Sequence, residues 1–389
     1  MWSNRQKRVY LDWAAAAPVD RSVLRAYGKA LMAYGNPGSP HAEGRRAGDL
    51  LEDARTRIAR LAEVKPAGVT FTAGATEANA LGILGYIRAC IASGVSAPDL
   101  HVLYLPSAHA SVLGAVAELK ELGVRVEPLT LTDGEIDGAT LRSKLTNETA
   151  LVILDAVCGE IGTRFDTLAV RRVLDAHQKG IVLFVDASQA PRTESYTLAH
   201  LGADMLTLDA QKVGGVRGIG ALLHRDHIKL EPLMRGGEQE RGLRPGTPTP
   251  ALAHAFAVAL ELCEKNRASF VVRAQEDRAK LLMALSALPD CVENGGPEKV
   301  PSTVNVSLIG RDTDYLVALL DARGYAVSTR SACETDAEGS HAVFAMSGDT
   351  ARAASALRIS WGVSTPSRAL TEFASTLSNC VRFLDDKAI

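Results

Sequence analysis

Ile181-Val182-Leu183-Phe184-Val185-Asp186-Ala187-Ser188-Gln189 is the stretch on which the fold of this chain turns. The apolar run 181–185 suits a buried strand of a sheet covered by helices on both faces. Asp186 follows the run directly, at the carboxyl end of that strand, where open α/β sheets bind their ligands. An aspartate that only caps a strand-end turn would give the same local pattern.

Similar short apolar runs recur on either side. They are Val69–Thr72, 101–106, 150–154 and 204–208. Between them lie segments long enough for helical crossovers. Residues 43–61 read as one such helix, with Leu50, Leu51, Ala54, Ile58 and Leu61 on one side. Strands alternating with helices predict an α/β fold with a largely parallel sheet. The pattern changes at Arg244-Pro245-Gly246-Thr247-Pro248-Thr249-Pro250, a Pro/Gly-rich break. Beyond it we expect a long helix (251–288), a strand (Thr303–Leu308), a helix (Thr313–Ala322), a loop around Cys333, a strand (357–360) and a last helix from Pro366. This predicts a large domain over 21–250. A smaller α+β domain would be formed by 1–20 and 251–389.

Composition narrows the function classes. An apolar fraction of 47% and a charged fraction of 23% are those of a globular protein rather than a disordered one. Lys plus Arg is 43 against 45 for Asp plus Glu, a net charge of −2, which argues against a strongly basic nucleic-acid binder. No apolar run approaches the ~20 residues of a membrane-spanning helix. The run 14–17, flanked by Asp12 and Asp20, is too short for a signal-peptide core, so a cytoplasmic location is expected. The six cysteines (Cys90, Cys158, Cys263, Cys291, Cys333 and Cys380) form no C-x-x-C pair, and no metal site is expected.

Two more segments carry chemistry. Asp209-Ala210-Gln211-Lys212-Val213-Gly214-Gly215 places a lysine in a Gly-rich loop directly after a strand. A solvated loop lysine is the simpler reading. Its separation from Asp186 nevertheless suits a pyridoxal-phosphate site, with Lys212 for the Schiff base and Asp186 for the pyridinium nitrogen. No G-x-x-x-x-G-K-[ST] is present, so Lys212 is not a nucleotide-binding lysine of that kind. Thr72-Ala73-Gly74-Ala75-Thr76-Glu77 reads as strand, glycine turn and helix start. That is an anion site suited to a phosphate, or simply a capping box.

Taken with Tyr10-Leu11-Asp12, Gly35-Asn36-Pro37, His109, Glu160-Ile161-Gly162, Glu240-Arg241-Gly242-Leu243-Arg244-Pro245-Gly246-Thr247, Ser331-Ala332-Cys333 and Leu357-Arg358-Ile359-Ser360, these segments stand in an order and spacing that resemble one family. The whole chain resembles the cysteine desulfurases of the NifS/IscS type, class V pyridoxal-phosphate enzymes of fold type I. The resemblance implies a mostly parallel seven-stranded-type sheet, pyridoxal 5′-phosphate as cofactor, L-cysteine as substrate, a homodimer, and a sulfur-acceptor protein of the scaffold type as partner. It implies that Lys212 forms the Schiff base and moves protons, that Asp186 keeps the ring nitrogen protonated, and that His109 stacks on the ring and assists proton transfer. Gln189 would bond the ring hydroxyl, and Ala75 and Thr76 the phosphate. Thr247 would reach the phosphate of a neighbouring subunit. Arg358 would hold the substrate carboxylate, with Asn36 the next candidate, and Cys333 would carry the sulfur as a persulfide.

Several positions depart from the family pattern. Cys158 stands where an asparagine touching ring and substrate is expected, and could be a second reactive thiol. Asp209 and Gln211 replace a serine and a histidine near the phosphate. Asp209 would repel a phosphate unless it points away or pairs with a cation. Arg330 replaces a glycine before Ser331-Ala332-Cys333. Two other readings stay open: a class V lyase or aminotransferase acting on another amino acid, and a homologue that binds cofactor or partners with little turnover.

Overall fold

The computed structural model describes residues 8–329 and 339–387. Its strands, in chain order, are β1 (Val9–Tyr10), β2 (Val69–Thr72), β3 (His101–Tyr104), β4 (Arg125–Pro128), β5 (Leu131–Thr132), β6 (Glu135–Ile136) and β7 (Thr149–Asp155). Then come β8 (Val182–Asp186), β9 (Met205–Asp209), β10 (Gly220–His224), β11 (Cys291–Glu293), β12 (Thr303–Leu308), β13 (Tyr325–Ala326) and β14 (Ala356–Ser360). Seven of them form the main sheet, in the order β2-β10-β9-β8-β7-β3-β4.

The pairs β4–β3, β3–β7, β7–β8 and β8–β9 are parallel. Only β10 runs antiparallel, to both β9 and β2. Four of the apolar runs read from the sequence are central strands of this sheet, β3, β7, β8 and β9, and the fifth, Val69–Thr72, is its edge strand β2; β8 and β9 are buried at every residue. Parallel neighbours put their carboxyl ends on one edge, so the groups following β3, β7, β8 and β9 converge there.

The first helices are α1 (Arg21–Ala30), α2 (Ala42–Ala62), α3 (Ala75–Ala92) and α4 (Ala110–Glu121). Helix α3 lies flush on the sheet because Gly82 faces Phe184, where a Cβ would come within 2.4 Å of the ring. The first core packs the main sheet against these helices and the amino-terminal half of the long helix Pro250–Leu285. A second core gathers Leu11, Trp13, Phe270, Leu281, Trp361 and Phe373 around the antiparallel sheet β11-β12-β14. Thus one helix runs from the first core into the second, and the amino-terminal residues 9–17 cross to the second.

The 239–242 turn is held by charge. Glu240 and Arg241 have φ of 48° and 58°, a left-handed conformation unusual for residues with a side chain. Arg55 forks onto Glu240 at 2.8 Å through both terminal nitrogens, and Phe71 N–H donates to the same carboxylate at 2.8 Å. Both partners are buried, so the pair fixes the turn as a unit.

Candidate active site

A cavity of about 280 Å³ opens at the carboxyl edge of the main sheet. The sheet supplies His109 after β3, Asp155 at the end of β7, Asp186 at the end of β8, and Asp209, Gln211 and Lys212 at and after β9. Arg358 of β14 and His341 form the opposite wall.

Lys212 sits in a short 3₁₀ turn, and its ammonium donates to the carbonyls of Ala14 (2.9 Å) and Ala15 (2.8 Å). Burial pushes its pKa below the ordinary lysine range; Asp209 and Asp186 oppose that effect, while Arg358 and Arg192 add to it. A lysine that loses its proton readily is suited to attack a carbonyl.

Asp186 accepts from Asn79 Nδ2 at 2.8 Å and from Ser188 N–H at 2.9 Å. The same Asn79 amide donates to Ser111 Oγ at 3.0 Å, and Ser111 Oγ lies 2.8 Å from His109 Nδ1. The Ser111 N–H also donates to Nδ1, at 3.1 Å. Nδ1 is therefore an acceptor, and a neutral His109 carries its proton on Nε2. One polar chain thus orients both the acid and the imidazole.

Asp155, in register with Asp186 on the adjacent strand, was not singled out from the sequence. It is 4% exposed, and its Oδ1 has no hydrogen-bond partner. Burial, with the neighbouring Asp186 charge second, holds its pKa well above the usual carboxylate range. Its signal was present all the same: Leu151-Val152-Ile153-Leu154-Asp155 repeats the apolar-run-then-acid pattern that ends β8.

Asp209 points at the start of α3. Its Oδ2 accepts from Ala75 N–H at 3.0 Å, and its Oδ1 from Gln211 N–H at 3.0 Å. The carboxylate thus occupies the helix N-terminus assigned to an anion, rather than turning away from it. Gln211 adds its own amide to the same carboxylate at 3.3 Å.

Gln189 donates to Ala14 O at 2.9 Å and lines the cavity, as does Thr76. Gly159 gives Gln189 room, since a Cβ there would meet its Nε2 at 2.8 Å. Cys158 is buried with Sγ 3.8 Å from Ser107 O. Burial pushes its thiol up to about 12, which leaves almost no thiolate at neutral pH and argues against a second reactive thiol there. Arg358 is 3% exposed; it pairs with Asp12 at 2.8 Å and donates to Gly159 O at 3.2 Å.

Two expected site residues lie outside the cavity. Asn36 accepts from Gly38 N–H at 3.0 Å in the loop before α2, and Thr247 follows the Arg244 segment. Arg244 is tied to Glu77 of α3 at 3.0 Å. Cys333 and Arg330 lie outside the described residues.

The profile of the class-V aminotransferases matches residues 9–372. The chain belongs to that family. It is 31% identical to the cysteine desulfurase IscS 1 of Archaeoglobus fulgidus over 329 residues, 84% of each chain. It is 32% identical to the mitosomal cysteine desulfurase of Encephalitozoon cuniculi over 363 residues, 92% of this chain and 82% of the other. Among solved structures, a NifS-like protein superposes with a TM-score of 0.89 at 27% identity, covering 97% of this chain and all of the other. SspA in complex with cysteine superposes with a TM-score of 0.77 at 27% identity, over 91% of this chain and all of the other.

This class-V chain is a pyridoxal-phosphate-dependent enzyme of fold type I. The residues present fit the cofactor: a buried carboxylate for its ring nitrogen, a readily deprotonated lysine for its aldehyde, and helix amides for its phosphate. At the phosphate end the fit requires Asp209 to give up the Ala75 N–H.

Proposed function

We propose that the protein is a cysteine desulfurase that converts L-cysteine to L-alanine and passes the sulfur, held as a persulfide on Cys333, to an acceptor. The observation that carries this reading is the convergence of Lys212, Asp186 and Arg358 on one cavity, in a chain about 30% identical to proteins named cysteine desulfurases. These three side chains answer to an amino group, a ring nitrogen and a carboxylate.

Bound pyridoxal phosphate supplies an electron sink that weakens the bonds at the amino acid's Cα. The other roles belong to the chain. Asp186, fixed by Asn79 and Ser188, would pair with the ring nitrogen. Lys212 carries protons at the substrate carbon, and the Ala14 and Ala15 carbonyls stabilise its protonated form. Arg358 takes the substrate carboxylate, its charge otherwise balanced by Asp12. His109 lines the cavity, with Nδ1 taken by the Ser111 N–H and the neutral ring's proton therefore on Nε2.

Sulfur transfer balances without an outside oxidant. The Cys333 thiolate attacks the cysteine sulfur, the C–S bond breaks with its electrons going to carbon, and a proton there completes alanine. Cys333 is left as the persulfide, which a thiol reductant releases as sulfide. The position of the flanking chain supports this role. Ser328 is hydrogen-bonded to the Arg358 backbone, and His341 lines the cavity, so both flanks of the 330–338 segment lie at the site.

The same reading includes a homodimer in which Thr247, outside its own chain's cavity, serves the partner's phosphate. It includes a scaffold-type acceptor and a cytoplasmic location. Among the described residues no helix is long and apolar enough to cross a membrane. The reading divides the chain into 21–250 and 1–20 with 251–389; the second core lies in the latter part, while the first half of the helix Pro250–Leu285 packs in the first core. Incubation of the holoenzyme with L-cysteine tests the function: stoichiometric alanine, with sulfide only when dithiothreitol is present, is expected. A keto acid or ammonia as the main product would move the chain to the lyase or aminotransferase reading.

A further inference from the structure

Behind the active site lies a second cavity, of about 410 Å³, where the two cores meet. Trp13 and Phe270 of the second core and Val213 of the first give it apolar walls, with Leu262 beside them. Set among these is Arg192, 8% exposed. Its guanidinium donates to Trp361 O at 3.3 Å and lies 5.8 Å from the centre of the Trp13 ring. Its Nε has no partner, and no carboxylate pairs with Arg192 among the described residues.

An unpaired buried cation is costly, and burial alone pushes the Arg192 pKa down to about 10. Of the other charged groups of the cavity, Arg21 is exposed to solvent, and Asp20 and Arg267 are already committed. Asp20 caps α1 through Ser22 N–H at 2.6 Å. Arg267 is paired with Glu264, donates to Pro191 O at 3.1 Å and stacks over Tyr196. The space therefore offers one buried free guanidinium, that of Arg192, beside the solvent-exposed Arg21, the Asn266 side chain and several apolar faces.

We infer that this cavity binds a small organic carboxylate with an apolar body, at a site separate from the substrate's, and that its occupancy is coupled to Lys212. The carboxylate would pair with Arg192 in the bidentate manner of arginine, while the apolar body covers Trp13, Val213 and Phe270. A phosphate dianion suits the space poorly, because it would lose its hydration against apolar walls for one buried guanidinium.

The coupling follows from shared walls. Trp13 faces this cavity, while its neighbours Ala14 and Ala15 face the active site and hold Lys212. Val213 and Gly214 face this cavity directly after Lys212, and Gly214 O accepts from Asp20 N–H at 3.0 Å. The Arg192 charge is also one of those that lower the Lys212 pKa. An anion on Arg192 cancels that effect and moves the Lys212 titration upward.

The test is calorimetric titration of the holoenzyme with benzoate, with benzamide as the neutral isostere and inorganic phosphate as the plain anion. Saturable benzoate binding is expected, at least tenfold tighter than either control. Arg192→Gln should weaken it at least tenfold, and Arg358→Gln should leave it within about twofold. Should Arg192→Gln fail to fold, Asn266→Trp fills the space with Arg192 kept, and must also lose benzoate. Saturating benzoate should raise the pH midpoint of the holoenzyme's visible absorbance in the wild type and not in Arg192→Gln. The inference fails if benzoate does not bind, if phosphate matches it, if Arg358→Gln abolishes binding while Arg192→Gln does not, if Asn266→Trp keeps it, or if the midpoint stays put. None of these readouts depends on sulfur transfer.

Discussion

Replacing Asp209 by serine should tighten the grip on the cofactor's phosphate. In the wild type the Asp209 carboxylate holds the Ala75 N–H at 3.0 Å, at the start of α3. A phosphate can use that donor only by displacing a buried negative charge. Freeing the amide for a charged acceptor is worth about 1.5–3 kcal/mol, the usual range for such hydrogen bonds. Like-charge repulsion adds to it: two unit charges 4 Å apart cost about 4 kcal/mol at an effective dielectric of about 20. Taking the hydrogen bond alone as a floor, the dissociation constant should fall by about tenfold or more. Serine is the informative substitute because it keeps a cap for the 3₁₀ turn, where Asp209 now accepts from Gln211 N–H. The assay strips the cofactor and titrates the apoprotein with pyridoxal phosphate, then with pyridoxal, following the visible absorbance. Only the phosphate ester should gain affinity. If Asp209→Ser leaves pyridoxal phosphate unchanged, or tightens pyridoxal equally, the anion position at α3 has been misassigned.

Four further outcomes are expected. Arg358→Gln should raise KM for L-cysteine at least tenfold, since a charged hydrogen bond is worth about 1.5–3 kcal/mol, and steady-state kinetics will read it. Glu240→Gln should cost about 3–5 kcal/mol in a denaturant melt, because it strands the buried Arg55. Cys158→Ser should leave the alanine-forming rate within about twofold, given a thiol pushed up to about 12. Asp155 keeps its proton in the fold at pH values where the unfolded chain has lost it, so unfolding releases a proton in that window. Its contribution is therefore present below the ordinary aspartate range and lost as pH rises above it, and Asp155→Asn should flatten that fall in apoprotein melting temperature.

The strands that carry the site were legible because a buried parallel strand is an apolar run, and an acid at its end stands out. Asp186 and Lys212 were found that way, and Asp155 ends the same kind of run. The edge strand β4, Arg125-Val126-Glu127-Pro128, gives no such run, since no residue of it is buried. The antiparallel direction of β10 is a matter of topology that periodicity does not encode. What anchors Lys212 is a pair of backbone carbonyls in an alanine run, and any residues would supply those. Arg192 is equally silent in sequence: nothing in Gln189-Ala190-Pro191-Arg192-Thr193 marks it, and only the meeting of the two cores buries it. The place of Asp209 was foreseen as a conflict with phosphate, and its direction came only from the geometry.

The central claim is that Lys212 and Asp186 handle the amino acid while Cys333 alone takes its sulfur. The most direct measurement is mass-spectrometric mapping of the persulfide after one turnover with L-cysteine in the absence of reductant, with alanine quantified in the same sample. The account predicts one added sulfur on Cys333, alanine in equal amount, and loss of both in Cys333→Ser holoenzyme that keeps its bound cofactor. Sulfur on Cys158, or full alanine formation by Cys333→Ser, would contradict it.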